Sequence, residues 1–291
     1  MRQHPHLPPT SPRAAGFTLV EPKQSEVPAK AGIHPLQAFT LVELSIVLVI
    51  IGLLVGGILG GQSLIRGAEL KTVLTDFSKY KSATIQFKSQ YNGLPGDLID
   101  AQDYWGVANA TPATCVGTSS AGVTATCNGN GDGAIFPSAG SNESYRYWQH
   151  LASAGLIQGS YNGVSTGLDA GAASDKNNSP VGKMSNSMWF VWNWGNTNQG
   201  YGAAFNVQYD NWLQFGAAGV NIWPAEAILT PEETYAIDKK IDDGKPGTGN
   251  VLGMQISGCT LAANVTDTSA EYRLTNKSIA CSISFPRFTA Q

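Results

Sequence analysis

From Leu44 to Ile65 the chain reads LSIVLVIIGLLVGGILGGQSLI, without one charged side chain. As a helix rising 1.5 Å per residue, that run is about 33 Å long, enough to cross the hydrocarbon of a bilayer. A helix that is apolar all round must be buried completely, in a large core or in lipid. A secretory signal peptide normally has a shorter apolar core ending in a small-residue cleavage site. Here the run continues directly into Arg66-Gly-Ala-Glu-Leu-Lys71. The segment reads as a retained membrane anchor.

Two features of the anchor call for explanation. Gly52, Gly56 and Gly60 recur every fourth residue, with Gly57 and Gly61 beside them. Such a row lets another helix approach closely, and it weakens the helix by roughly 1 kcal/mol per glycine relative to alanine in water. Glycine is also simply commoner in membrane helices. The second feature is Glu43, at the head of the run. A carboxylate costs on the order of 2.5–3.5 kcal/mol at mid-bilayer and less near the edge. It either caps the helix N-terminus, where negative charge is favoured, or awaits a positive partner.

The residues just before the run are Ala38-Phe39-Thr40-Leu41-Val42-Glu43. This hexapeptide, followed by an apolar helix, resembles the N-terminus of type IV prepilins and type II secretion pseudopilins. The resemblance implies cleavage between Ala38 and Phe39 by a prepilin peptidase, and N-methylation of the new Phe39. It implies that the Glu43 carboxylate pairs with the N-terminal amine of a neighbouring subunit during assembly. Ala38 stands where that family prefers glycine, which implies slower processing.

The pentapeptide Phe-Thr-Leu-Val-Glu also occurs at 17–21, but there Pro22-Lys23-Gln24 follows, neither apolar nor helical. Joining Gly16 directly to Phe39 would give a short basic leader ending in glycine. Residues 17–38 therefore read as an insertion that duplicated its border. The expected organisation is a leader over 1–38, a transmembrane and assembly helix over 39–65, and a globular head over 66–291.

Beyond the anchor, Val73, Phe77, Tyr80, Thr84, Phe87 and Tyr91 fall at spacings of three and four, an amphipathic helical stripe. One helix from about Phe39 to Tyr91 is expected, ended by Asn92-Gly93 and Pro95-Gly96. A short helix is predicted over Glu143–Ile157, with Tyr147, Leu151 and Ala154 inward. Another starts at Thr230, where Thr230, Pro231 and Glu233 spell a capping box. Strands are expected at Met188–Trp194, Ala203–Tyr209, Asn221–Trp223, Val251–Ser257, Glu271–Leu274 and Ser278–Phe285. The fold class is α+β. With the resemblance, this implies the pilin plan: a long N-terminal helix packed on an antiparallel sheet head with loop-rich insertions.

Charged residues make up only 13% of the chain and the net charge is −3, so nothing electrostatic points to nucleic acid. The cysteines fall into two close pairs, Cys115/Cys127 and Cys259/Cys281. Sequence allows three connectivities; the two local bridges are favoured because each closes a short loop, in an oxidising compartment.

Candidate chemistry in the head is sparse. Asn128-Gly-Asn-Gly-Asp-Gly-Ala-Ile135 resembles the first half of a calcium loop, with Asn128, Asn130, Asp132 and the Ala134 carbonyl as ligands. Ala139 occupies the place of the bidentate glutamate, leaving Glu143 to substitute by another path. A tight Asn/Gly turn explains the same residues. Ca2+ is the one cofactor considered. Asp238, Asp242 and Asp243 gather at the end of the helix begun at Thr230, opposing its dipole; nearby lysines, an ion or a neighbouring subunit could compensate. The segment around them, with Leu94-Pro-Gly-Asp97 and Asn130-Gly-Asp-Gly133, resembles large pilin-like proteins. Trp189, Trp192 and Trp194 suit a core or a sugar platform, core being the commoner use. His150 is the one histidine outside the leader, and no nucleophile elbow accompanies it, so no catalytic site is assigned.

These readings converge on a structural subunit, a minor pilin or pseudopilin, because removing residues 1–38 from 291 leaves a chain large for a major subunit. Its expected partners are the prepilin peptidase, other pilin or pseudopilin subunits and the bacterial inner membrane. There it is expected as a single-pass protein with a periplasmic head before entering a filament. The alternative class is a membrane-anchored, calcium-dependent adhesin or ligand-binding protein.

Overall fold

The computed structural model describes residues 40–108, 125–136, 142–164, 176–193, 204–219 and 224–290. Its elements in chain order are α1 (Leu41–Tyr91), α2 (Ala101–Trp105), α3 (Glu143–Ser153), β1 (Ser187–Asn193), β2 (Asn211–Ala217), α4 (Pro231–Ile241), β3 (Leu252–Gly253), α5 (Ile256–Cys259) and β4 (Ile283–Phe285). The chain divides into two compact units, residues 1–55 and 56–291.

In the first unit the described residues are Thr40 and the opening turns of α1, exposed throughout. As a whole α1 contains a stretch long and apolar enough to cross a membrane.

The second unit is built around a four-stranded antiparallel sheet in the order β1-β2-β4-β3. Strands bury alternate residues on opposite faces, and here both faces are covered. One face presents Trp189, Val191, Leu213, Phe215, Ile283 and Phe285 to the main core. That core includes the stripe on α1, where Val73, Tyr80, Ala83, Thr84 and Phe87 are buried. Phe77 stacks on Phe285 with centroids 4.0 Å apart, and Tyr80 meets Trp148 and Trp189 edge-on at 5.0 and 5.5 Å. The opposite face carries Trp212 and Leu252 into a small cluster with Ala204, Tyr209 and Met254, against which Trp192 packs. Trp189 and Trp192 thus lie on opposite faces, as alternation predicts; Trp194 lies outside the described residues.

Several expectations are corrected. Residues 204–209 form no strand, while Asn211–Ala217, not anticipated, is the central strand β2. Its sequence NWLQFGA is buried at nearly every position, so the polar alternation that marks a half-exposed strand is missing. The predicted strand at 251–257 shrinks to β3, because Gln255 takes a left-handed φ of 67° and α5 begins at Ile256. The stretch 271–274 contributes only a bridge between Tyr272 and Thr260. Asn221–Trp223 lies outside the described residues. Helix α3 stops at Ser153, just before Gly155 at φ 72°, and its flanks are buried as completely as its inner face.

Cys259 and Cys281 form a disulfide. It ties α5 to the residue that also bridges Leu229, just before α4. Cys127 is disulfide-bonded as well, and Cys115 lies outside the described residues.

Phe285 is the side chain through which β4 meets α1. Truncating it to alanine leaves a cavity between the helix and the sheet, and Phe285→Ala is expected to cost about 3–5 kcal/mol. Denaturant unfolding of the oxidised chain checks this; a loss below about 1 kcal/mol would show that the Phe77 stack is peripheral to the core.

Candidate functional site

The sequence pointed to two places: the start of α1, and the Asn128–Ile135 loop. At the first, Glu43 N–H donates to Thr40 Oγ1 at 3.2 Å, and Thr40 N–H donates to Glu43 Oε2 at 2.9 Å. This reciprocal pair is a capping box, with Thr40 at N-cap and Glu43 at N3. The Thr40 hydroxyl donates to the same oxygen at 2.9 Å. Within one chain, therefore, the Glu43 carboxylate satisfies the helix terminus. A Cβ built on Gly52, Gly56 or Gly60 would meet nothing within 4 Å, so this row is an open helix surface. Ala38 and Phe39 lie outside the described residues.

Arg66, the first charge after the apolar run, was not singled out by the sequence. Its Nε and one terminal nitrogen donate to the two oxygens of Glu233 at 2.6 and 2.9 Å, and that nitrogen also reaches the Ile228 carbonyl at 3.0 Å. Glu233 is at the same time the N3 residue of the α4 capping box. Burial alone would raise the Glu233 pKa, but Arg66 and the Thr230 amide outweigh it and hold the carboxyl below its ordinary range. One glutamate therefore caps α4 and holds the base of the amphipathic half of α1.

The loop is organised around Asp97 of the Leu94-Pro-Gly-Asp97 turn, a residue the sequence had not assigned a role. Its carboxylate accepts from Gly131 N–H at 2.6 Å and Gly133 N–H at 2.8 Å. The two segments touch backbone to backbone: a Cβ on Gly129 would lie 2.3 Å from the Asp97 Cα. Asn128 accepts from the Gln102 amide, Asn130 from the Asp132 amide, and Asp132 from the Ala134 amide, at 2.8–3.0 Å. Asn211 closes the far side, accepting from Ile135 N–H and donating to the Gly133 carbonyl. The side-chain oxygens of Asn128, Asn130 and Asp132 proposed as ligands thus each accept from an internal N–H donor. Among the described residues, the acidic side chains with oxygens within 4.8 Å of one another are Asp238, Asp242 and Asp243, not Asp97, Asp132 and Glu143.

Asp238, Asp242 and Asp243 are likewise busy. Asp238 accepts from Gly244 N–H and the Tyr272 hydroxyl, Asp242 from the Asn250 and Val251 amides, and Asp243 from Lys245 N–H and the Thr248 hydroxyl. These donors, and not the lysine side chains, stitch the end of α4 to the following loop. Burial, reinforced by Asp243 and Asp242, pushes the Asp238 carboxyl up to about 7.

Glu143 is fully buried at the start of α3. One oxygen accepts from Phe136 N–H at 2.9 Å, and the other has no hydrogen-bond partner. Burial first, then the nearby Asp97 and Asp132 charges, push its carboxyl up to about 7. Two turns further along α3, His150 is buried with both ring nitrogens engaged. Gly96 N–H donates to Nδ1 at 2.9 Å, which places the ring proton on Nε2, facing Thr126 Oγ1 at 2.9 Å. Burial, with the Arg146 charge, drops its pKa to about 3. This histidine is a neutral strut between the Pro95-Gly96 turn, α3 and the strand-like residues before Cys127.

Beside this loop lies a cleft of about 590 Å3, with Lys88, Asp132, Asp210, Asn211 and Arg287 among its walls. No family model, curated protein sequence or solved structure matches the chain.

Because the folded pKa of Glu143 lies above its unfolded value, its protonated form is favoured by folding. The stability it contributes is complete below the unfolded pKa of about 4.5 and is lost as pH rises through about 7. Relative to Glu143→Gln, which cannot ionise, the parent should therefore lose on the order of 3 kcal/mol between pH 4.5 and 7.5. Paired denaturation curves across that range measure the difference, and a difference independent of pH contradicts the assignment.

Proposed function

We propose that this chain is a prepilin-type structural subunit, a minor pilin or pseudopilin, processed at the membrane and assembled into a type IV pilus or type II secretion pseudopilus. The observation that carries the reading is the start of α1. Helix α1, capped by Thr40, carries one carboxylate, Glu43, in its first turn and then no charge until Arg66. It follows directly on Ala38-Phe39 in the motif such subunits share.

The physical logic runs through two unfavourable charges. Cleavage between Ala38 and Phe39 leaves an amine at the N-terminus of a helix, where the macrodipole already places positive charge. Glu43 leaves a carboxylate at the edge of hydrocarbon, partly satisfied by Thr40. When the Phe39 amine of one subunit meets the Glu43 carboxylate of the next, each neutralises the other. The Gly52, Gly56 and Gly60 row permits close helix approach in the same bundle. The α+β head, an amphipathic helix half packed on an antiparallel sheet, is consistent with the pilin plan, and the disulfides are consistent with a periplasmic head.

Replacing Glu43 by alanine separates this reading from a membrane-anchored receptor. Membrane insertion and processing should persist, while recovery of the subunit in sheared filament fractions should fall at least tenfold, a loss equivalent to about 1.4 kcal/mol of assembly energy. Normal filament incorporation of Glu43→Ala would remove the central support for the proposal.

A further inference from the structure

The end of the apolar run and the start of α4 lie at one level of the head. Helix α1 is unbroken there, and Arg66, its first charge after the run, follows directly on Ile65. Arg66 is held by both oxygens of Glu233 and by the Ile228 carbonyl. Ile241, at the other end of α4, shares a small cavity with Leu74, Phe77, Ser78 and Lys81 of α1. Those residues stand about 12–22 Å beyond Arg66 along the α1 axis, and α4 itself is about 16 Å long. Helix α4 therefore runs beside α1 in the same direction, with its first turn at the level where the apolar run stops.

A second segment joins α4 at that level. The Leu229 carbonyl accepts from the Ala280 and Cys281 amides at 3.0 and 2.9 Å, and Lys277 pairs with Glu232, in the first turn of α4, at 2.7 Å. The turn between them is firmly held: Asn276 donates to the Gly258 carbonyl and accepts from the Ser278 amide, both at 3.0 Å. It nevertheless leaves Ile279 60% exposed, and Leu64 and Ile65 at the end of the run are exposed as well. A firm turn with an apolar tip, level with the end of an apolar helix, fits the boundary of a bilayer. The ionic groups there do not favour an anionic lipid. Glu69, Glu232 and Glu233 face Arg66 and Lys277, so carboxylates outnumber cations and the fit is apolar. Lys277 can keep its ammonium among headgroups while its stem lies on apolar surface.

We propose that the turn at residues 276–280 seats the head on the lipid interface, with Ile279 inserted at the headgroup boundary beside the end of the apolar helix. The inference rests on α1 crossing a membrane and goes beyond it, because a helix anchor alone requires no contact between head and lipid. A subunit that leaves the bilayer for a filament must withdraw this contact as well as its helix.

The test uses the full chain in phosphatidylcholine nanodiscs at one chain per disc, with a nitroxide on Ile279→Cys, Leu59→Cys or Ile99→Cys in turn. Among the described residues no cysteine is free, and the parent chain treated identically is the blank. Accessibility to oxygen, which concentrates in lipid, relative to a water-soluble nickel chelate reads the depth of each label. Leu59 lies on the apolar run, whereas Ile99, 62% exposed, lies near Lys88 at the far end of α1. The label on Ile279→Cys is expected within the roughly 5–10 Å that interfacial apolar groups penetrate, shallower than on Leu59→Cys, while Ile99→Cys reads as water. Water-like values at both 279 and 59 remove the membrane anchor and the proposal with it. A water-like value at 279 with Leu59→Cys in lipid overturns the proposal alone. Shielding at 279 that appears only with more than one chain per disc assigns the turn to a neighbouring copy, and also overturns it.

Discussion

The head depends on one stripe of side chains. Val73, Phe77, Tyr80, Thr84 and Phe87 on α1 supply the surface against which the sheet, α3 and the C-terminal strand pack. Strand β4 lies between β2 and β3, yet it is only three residues long. An isolated sheet with strands of two and three residues would be marginal without a helix to cover its face. The stacked Phe77 and Phe285 join the first element of the head to the last, closing the chain around its core. Apart from Thr84, whose hydroxyl meets the Tyr147 hydroxyl at 2.5 Å, the stripe is apolar or aromatic.

What the sequence made legible follows from how local each signal is. The helix stripe, the capping box at Thr230 and the alternation of Trp189 and Trp192 depend on neighbours within a turn or two, and the structure reproduces them. Strand β2 was hidden because both of its faces are buried, so NWLQFGA shows no polar–apolar alternation. Residues 251–257 looked like a strand by composition, but a left-handed Gln255 and the disulfide at Cys259 turn the chain into α5. The long-range ties could not be read at all. Asp97 reaches the amides of Gly131 and Gly133 across 34 and 36 residues, and Arg66 reaches Glu233 across 167. Nothing in the residues near Arg66 names Glu233 as its partner.

The two capping boxes show one sequence pattern under different demands. At Thr40–Glu43 the glutamate is exposed and its interactions are local. At Thr230–Glu233 it also receives the bidentate Arg66 guanidinium and is partly buried. The second is therefore a fixed structural joint, while the first retains a carboxylate that an incoming cation can reach. The proposed function draws on that difference: in that reading, the three-residue spacing that fastens the head at Glu233 leaves Glu43 open to the amine of a neighbouring subunit.

The most direct test of the account is the N-terminal sequence and intact mass of the protein extracted from membranes. Processing as proposed predicts a chain that begins at Phe39, carries one added methyl group on that residue and continues Thr-Leu-Val-Glu-Leu-Ser. A chain that retains residues 17–38, or begins with an unprocessed leader, would contradict the proposal that Glu43 meets the N-terminal amine of a neighbouring subunit.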